Sequence, residues 1–461
     1  MEIAHKKKHS MNKFKQYLTV LLGILLVGGC WWFFSTCYEG EKPVLKLSEA
    51  IDIIGLEKTF DITATDKNRG LRSILVTISQ DEKEYTLYSE DYPTKGIKEK
   101  TFGIEVNPKN LKLRDGEARI NISAVDYSLR KNSATLNIKV IIDTTPPRIY
   151  LLSSAHNINP GGSCITIYSV SEDVIKSGVN VGDNFSTGYP ITLGGKLCYI
   201  AYFALPVDAK RESARIGIVV SDSAGNESLQ PLPCYVRNKK FRADTIKITD
   251  SFLERKMPEF QQLNTSLQEM TLLKAFQYVN KQIREDNFNT IQSICKKSEE
   301  KQLWQGPFLR MKNAATTAGF GDRRTYYYKG KAVSKSIHKG IDLASTRHAP
   351  VEASNSGKVV FTGYLGIYGD TVVIDHGLGL FSLYGHLGMI KVKEGQMVAK
   401  GELIGCSDTS GLAGGDHLHF SILVGGRFVD PREWWDSHWI KDNVERKLNY
   451  QKSEARSQES E

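Results

Sequence analysis

From Gln16 to Tyr38 the chain carries no charge, and the centre of that stretch, LTVLLGILLVGG, is continuously apolar. A helix of about 20 apolar residues crosses the hydrocarbon core of a bilayer, so residues 17–38 are expected to form a transmembrane anchor. Trp31, Trp32, Phe33 and Phe34 sit near its far end, like an interfacial aromatic belt. Lys6, Lys7, Lys8, Lys13 and Lys15 precede it, against the single acid Glu2. That asymmetry predicts a basic cytoplasmic segment over 1–16, with everything after residue 38 outside. Two other readings stay open. A cleaved signal peptide would need a small-x-small site, and none precedes the aromatic cluster. Val27-Gly28-Gly29-Cys30 resembles a lipoprotein cleavage box, although the Trp pair after Cys30 is unlike one. Each places the remainder outside the cytoplasm.

Beyond the anchor the pattern changes to short β-branched runs. ILVTI, ARINISAV and ATLNIKVII, bounded by Asp, Asn, Gly and Lys, predict strands over 43–147 with the spacing of a sandwich. Asp143-Thr-Thr-Pro-Pro147 forms a stiff boundary. A second β-rich segment covers 148–240, where RIGIVVSDSAGNES echoes ARINISAVDYSLRKNS. Both segments are expected to be immunoglobulin-like β-sandwich modules, acting as spacers or holding an envelope protein partner. Residues 250–302 take helical period and are expected to form a helical linker. Ser266 and Glu269 have capping-box spacing, and Leu263, Leu267, Met270, Leu273 and Phe276 recur on one face. Gly-rich short strands return over 303–435. The charged, serine-rich segment 441–461 is expected to be disordered. The fold class is therefore mainly β and multidomain.

At 461 residues, with 40% hydrophobic and 25% charged positions, the chain has material for several cores. Its net charge of +9 favours anionic surfaces such as cell-wall polymers and gives no indication of nucleic acid. None of the seven cysteines forms a CxxC pair, which argues against a cysteine zinc cluster. One pair among Cys164, Cys198 and Cys234 could form a disulfide outside the cytosol.

Four of the ten histidines lie in three short motifs. The first is His338-Lys-Gly-Ile-Asp342. The second is Tyr384-Gly-His386-Leu387, and the third is His417-Leu-His419 inside the strand-like run DHLHFSILV. Residues two apart on a strand share a face, so His417 and His419 project together. His338, Asp342 and one histidine of that pair would give three zinc ligands, leaving a position open as catalytic sites do. His386 would then be an imidazole near the metal, able to move a proton. His348, His376 and His438 belong to no such pattern. Chemistry alone points to a zinc hydrolase of unspecified substrate.

The three motifs, in this order, resemble the LytM/lysostaphin-type zinc endopeptidases of bacterial cell walls. Phe320-Gly-Asp-Arg-Arg324, GIDLAS, Ala349-Pro-Val-Glu-Ala353, VVIDHG, VKEGQMVAKGELIG and Val429-Asp430-Pro431 extend the likeness over about 130 residues, 303–435. The resemblance implies an antiparallel β core with a groove across it. It implies that His338, Asp342 and His419 bind one Zn2+ and that His386 and His417 are the catalytic histidines. It also implies hydrolysis of amide bonds in peptidoglycan stem peptides or cross-links, and the single-span anchor fits an inner-membrane protein with its peptidase facing the periplasm. The family often has Glu after HLHF where this chain has Ser421, so altered hydrogen bonding behind the ligands is expected. The competing reading is a catalytically inactive relative that activates another wall hydrolase, or an adaptor working through its β modules. The presence of every implied ligand argues against the inactive reading.

Overall fold

The computed structural model describes residues 2–36, 38, 40–153, 156–210 and 214–448. Helix α1 (Glu2–Thr36) contains a segment, Phe14–Phe34, long and apolar enough to cross a membrane, with none of it buried. The chain divides into two compact units: Met1–Pro146 with Ser223–Asn226, and Pro147–Asp222 with Glu227–Glu461.

In the first unit, strands Val44–Leu47, Lys58–Thr65 and Glu99–Val106 form one sheet. Ile53–Ile54, Ser133–Ile142, Gly116–Asp126, Leu71–Gln80 and Lys83–Asp91 form the other, in that order. Burial alternates along these strands, and the inward residues Phe60, Ile62, Ile104, Val76, Ile120 and Ile122 meet in one core. Alternation is the signature of a sheet with one face on the core and one in water.

The segment expected to repeat that sandwich is built differently. Seven of its nine strands join in antiparallel order, Glu227–Pro231, Ile216–Ser221, Lys176–Val181, Asn184–Leu193, β1 (Lys196–Ala204), Ser163–Val170 and Ile149–Leu151, while His156–Ile158 and Cys234–Val236 form a separate parallel pair. The cause is visible in β1, which is buried on both faces from Cys198 onward. Tyr199, Ala201 and Phe203 enter a core belonging to this sheet. Cys198, Ile200, Tyr202 and Ala204 enter a second core together with Phe276, Leu383, Phe420 and Trp434. A strand with no wet face cannot be the outer layer of a free sandwich. This segment is one wall of a larger body, and the core does not stop at 240.

Nor does it stop at 302. Strand β2 (Ala243–Ile248) pairs in parallel with β3 (Arg323–Tyr328), which pairs with β4 (Lys331–Ile337). Between β2 and β3 lie α2 (Asp250–Leu263), α3 (Leu272–Tyr278) and α4 (Arg284–Ile294). These helices place Leu253, Met257, Phe260, Phe276 and Ile291 in the same core. The capping box is not used. Thr249 caps α2, accepting from the Phe252 amide, while Ser266 lies in a short 3-10 turn capped by Asn264. Leu267 and Phe276 are buried as the period predicts, but Leu263, the last residue of α2, is exposed.

The main sheet is antiparallel throughout. Its central order runs through Ala315–Ala318, β5 (Ile341–Ala344), β8 (Leu418–Val424), β7 (Leu380–Ile390) and β6 (Asp370–Asp375). Helices α5 (Pro431–Trp435) and α6 (Ser437–Ile440) close the body. The expected disorder does not begin at 441, because helical structure continues to Leu448. Ile440 and Val444 are buried there, and the Lys447 ammonium donates to the Ile165 carbonyl. The rest of that expected tail, 449–461, lies outside the described residues. No disulfide joins the described cysteines. In the antiparallel register Cys164 faces Phe203, so Cys198 lies further along β1; the Cys164 thiol instead receives the Lys447 ammonium at 3.6 Å.

Candidate metal and catalytic site

Asp342 on β5 and His419 on β8 are direct partners in the antiparallel register. His338 precedes β5 by three residues, and its backbone is tied to Asp322 and Gly321 by reciprocal hydrogen bonds. These three side chains converge in a buried pocket. Asp342 Oδ1 lies 2.9 Å from His338 Nε2 and 2.8 Å from His419 Nδ1. The two imidazole nitrogens are 3.1 Å apart.

The far side of each ring shows which nitrogens carry protons. His338 Nδ1–H donates to the Gly319 carbonyl at 2.8 Å, leaving a lone pair on Nε2. The Ser421 hydroxyl donates to the Lys339 carbonyl, so its oxygen accepts from His419 Nε2–H, each at 3.0 Å. A lone pair then remains on His419 Nδ1. Two imidazole lone pairs and a carboxylate oxygen face one another with no proton between them. Acceptors packed this closely repel unless a cation joins them, and nitrogen, nitrogen and carboxylate oxygen form a donor set that zinc takes. The donor set fits zinc, with Ser421 serving as the acceptor behind His419.

The two remaining histidines stand beside this cluster. His386 lies on β7, where Gly385 is the register partner of His419. Its φ is 60°, a left-handed conformation that a bulky residue holds only when its surroundings enforce it. The β7 ladder shifts register just beyond, and His386 Nδ1–H donates to the Ser410 carbonyl at 2.8 Å. His417 precedes β8, donates from Nδ1 to the Gly415 carbonyl at 2.8 Å, and holds Nε2 3.6 Å from Asp342 Oδ1. The rings of His386 and His417 are 4.8 Å apart. All five residues expected in the site are thus brought together.

Charge separates their roles. Burial, with His417 and His419 as further causes, holds His386 well below its ordinary pKa, so it is neutral. Burial also pushes His417 down, but the Asp342 carboxylate outweighs it and raises that imidazole above its ordinary value. Burial lowers His419 to about 4. Burial works to raise Asp342, but its histidine partners outweigh that and keep the carboxylate ionised.

Sequence reading did not assign Arg324 a role. It lies on β3 and donates to Asp342 Oδ2 at 3.0 Å, so the carboxylate is held from both sides. The alternation Arg324, Tyr326, Tyr328 on a strand was the available signal. The cavity over the site, about 450 Å³, is walled partly by β2 and the start of α2, through Ile248, Thr249, Phe252 and Arg255. Arg255 donates to the Gly414 carbonyl at 3.1 Å and Lys256 to the Thr409 carbonyl, tying α2 to the loops that carry His417 and Ser410.

Residues 336–431 match the family model described as Peptidase family M23. The DD-carboxypeptidase/endopeptidase Mpg of Neisseria meningitidis serogroup B is 40% identical over 95 residues, 21% of this chain and 22% of that protein. The peptidoglycan DD-endopeptidase ShyB of Vibrio cholerae is 37% identical over 114 residues, 25% of this chain and 26% of that protein. The chain thus matches about a quarter of the length of these relatives. Among solved structures, the catalytic domain of lysostaphin from Staphylococcus simulans is 27% identical, with 28% of this chain and 98% of that chain covered at a TM-score of 0.24. With the three motifs, their order and their convergence in one pocket, the segment 336–431 is a peptidase family M23 domain of the LytM/lysostaphin type.

Proposed function

We propose that this protein is a membrane-anchored zinc endopeptidase that hydrolyses amide bonds in peptidoglycan stem peptides or cross-links. The observation that carries the reading is the meeting of His338 Nε2, Asp342 Oδ1 and His419 Nδ1, with no proton among them and two more imidazoles alongside. Zinc, when bound by these three residues, supplies Lewis acidity to the carbonyl and lowers the pKa of water. His417, whose imidazole gains protons most readily because Asp342 faces it, takes and returns the proton at Nε2. His386, neutral and fixed through Nδ1, orients the reacting water and carbonyl from Nε2. Arg324 keeps Asp342 ionised and immobile. The completeness of this set argues against an inactive regulator.

Helix α1 is read as a single-pass anchor in the inner membrane, with the peptidase in the periplasm. The first unit is read as an immunoglobulin-like spacer, supported by its two-sheet strand order. Control is assigned to α2, whose first turns are tied over the cavity by Arg255 and Lys256.

The test uses residues 40–461 loaded with zinc, wild type beside His417→Ala, incubated with purified peptidoglycan. Mass spectrometry of the soluble muropeptides should show cross-link cleavage by wild type alone. If the zinc-loaded wild type releases nothing, the regulator reading takes its place.

A further inference from the structure

A second cavity, about 260 Å³, is lined by Ile337 and Lys339, the two neighbours of the ligand His338. Its walls are the rings of Phe288 on α4 and Phe428, and its charged groups are Lys339, Arg427 and Asp208. The Lys339 ammonium rests over Phe288 at 4.2 Å from the ring centroid and over Phe428 at 5.6 Å. Among the described residues no carboxylate comes within ion-pair distance of it, Asp208 included. The guanidinium of Arg427 lies 5.7 Å from the same Phe288 ring. Its Nε donates to Asn184 Oδ1 at 2.7 Å, leaving its two terminal nitrogens without partners among the described residues.

Two cations with unused donors are therefore held together in an aromatic-walled recess, against the repulsion between them. Both cations are partly exposed and share the Phe288 ring, so their donors are open to an incoming anion, and a carboxylate is the group that matches a guanidinium fork and a nearby ammonium. The recess is also linked to the metal cluster through Ser421, which donates to the Lys339 carbonyl and accepts from His419. Part of its wall, Asn184 and Asp208, comes from the β-rich segment before residue 240, so the site exists only because that segment is fused to the peptidase.

We infer that this recess is a carboxylate-binding subsite that holds an anionic group of a peptide whose amide bond lies in the catalytic cleft. The inference rests on the proposed peptidase function for the identity of the peptide, a cell-wall stem. The carboxylate comes either from the chain terminus or from the side of the peptide.

The test is calorimetric titration of the full chain in detergent with a synthetic tetrapeptide, L-Ala-γ-D-Glu-L-Lys-D-Ala. It is compared with the same peptide amidated at its C-terminus and with a version amidated at the α-carboxyl of γ-D-Glu. One of the two amidations should weaken binding by about tenfold, the loss expected for a charge-assisted contact, and so names the source. Lys339→Met and Arg427→Gln should bind the free peptide as weakly as wild type binds the amidated one. Equal binding of all three peptides by wild type, no binding of any, or a tenfold preference that survives in both variants would overturn the proposal. The comparison on wild type alone stands even if a variant fails to fold. Peptidoglycan cleavage is scored in parallel. A carboxylate preference without cleavage would overturn the peptidase reading and keep the subsite.

Discussion

Two buried histidine environments in the same sheet differ in how their nitrogens are spent. His376 is fully buried, and both of its nitrogens are used: Nδ1 meets the Ser356 carbonyl and Nε2 the Ser382 hydroxyl, each at 2.7 Å. His338 and His419 are buried nearly as deeply, yet each uses one nitrogen for the fold and turns the other toward Asp342. Burial pushes His376 and His419 alike down to about 4. Neither burial nor acidity tells them apart. The unspent lone pair does, and it marks the difference between a histidine that holds the core and one that can hold a metal.

The largest test of that contrast is His419→Ala. Zinc affinity and peptidoglycan cleavage should each fall by about 10³-fold or more, because one of three ligands is gone. Metal analysis after dialysis reads the first. If the variant keeps stoichiometric zinc, the ligand assignment fails.

His376→Phe should do the reverse. Zinc content should hold, while stability drops by about 1–3 kcal/mol from the unpaired Ser356 carbonyl, the Ser382 hydroxyl keeping its bond to the Tyr384 hydroxyl. The pH dependence has a defined sign. The folded pKa of about 4 lies below the unfolded value near 6.5, so the unfolded chain binds the extra proton. This contribution is present above pH 6.5 and is lost as pH falls toward 4, in total about 3 kcal/mol. Denaturation in urea across that window should show a flatter slope for the variant than for wild type.

A smaller effect is expected from Ser421→Ala, which leaves all three ligands but removes the acceptor behind His419. Zinc affinity should weaken by about 10–100-fold, with little change in melting temperature. Unchanged affinity would mean that the His419 tautomer is set by something else. The smallest effect concerns the cover over the site. Arg255→Ala removes one tie between α2 and the Gly414 loop, and initial rates on peptidoglycan should rise by about two- to fivefold, the worth of one exposed hydrogen bond. A fall in rate would place α2 in substrate binding instead of restraint.

The site was more legible in the sequence than the body that carries it. His417 and His419 are placed on one face by strand alternation alone, and the resemblance carried by the three motifs implied the grouping of His338, Asp342 and His386 with them. Arg324 was readable only by its period with Tyr326, and its carboxylate partner lies eighteen residues away in another strand. The first unit was legible because alternating burial writes itself into alternating polarity. The second β segment was legible as strands but not in how it is covered. The run Leu197-Cys-Tyr-Ile-Ala-Tyr-Phe-Ala-Leu205 has no polar phase, which signals a strand covered on both faces, but nothing local says what covers it. Likewise Ser266 and Glu269 have the spacing of a capping box, but Ser266 lies in a 3-10 turn capped by Asn264 and the next helix starts only at Leu272, after Thr271.

The shared wall has a consequence for timing. Ser163, near the start of the second unit, donates to Glu433 through its amide and hydroxyl, while its hydroxyl accepts from the Trp434 indole; Lys447 reaches the Ile165 carbonyl. Strands made early in synthesis are thus closed by helices made far later in the chain. A chain made from its N-terminus cannot finish this core until residues 431–448 have emerged, and it should unfold with them in a single transition. The site cluster, which shares this core, would then stay unassembled until synthesis is almost complete.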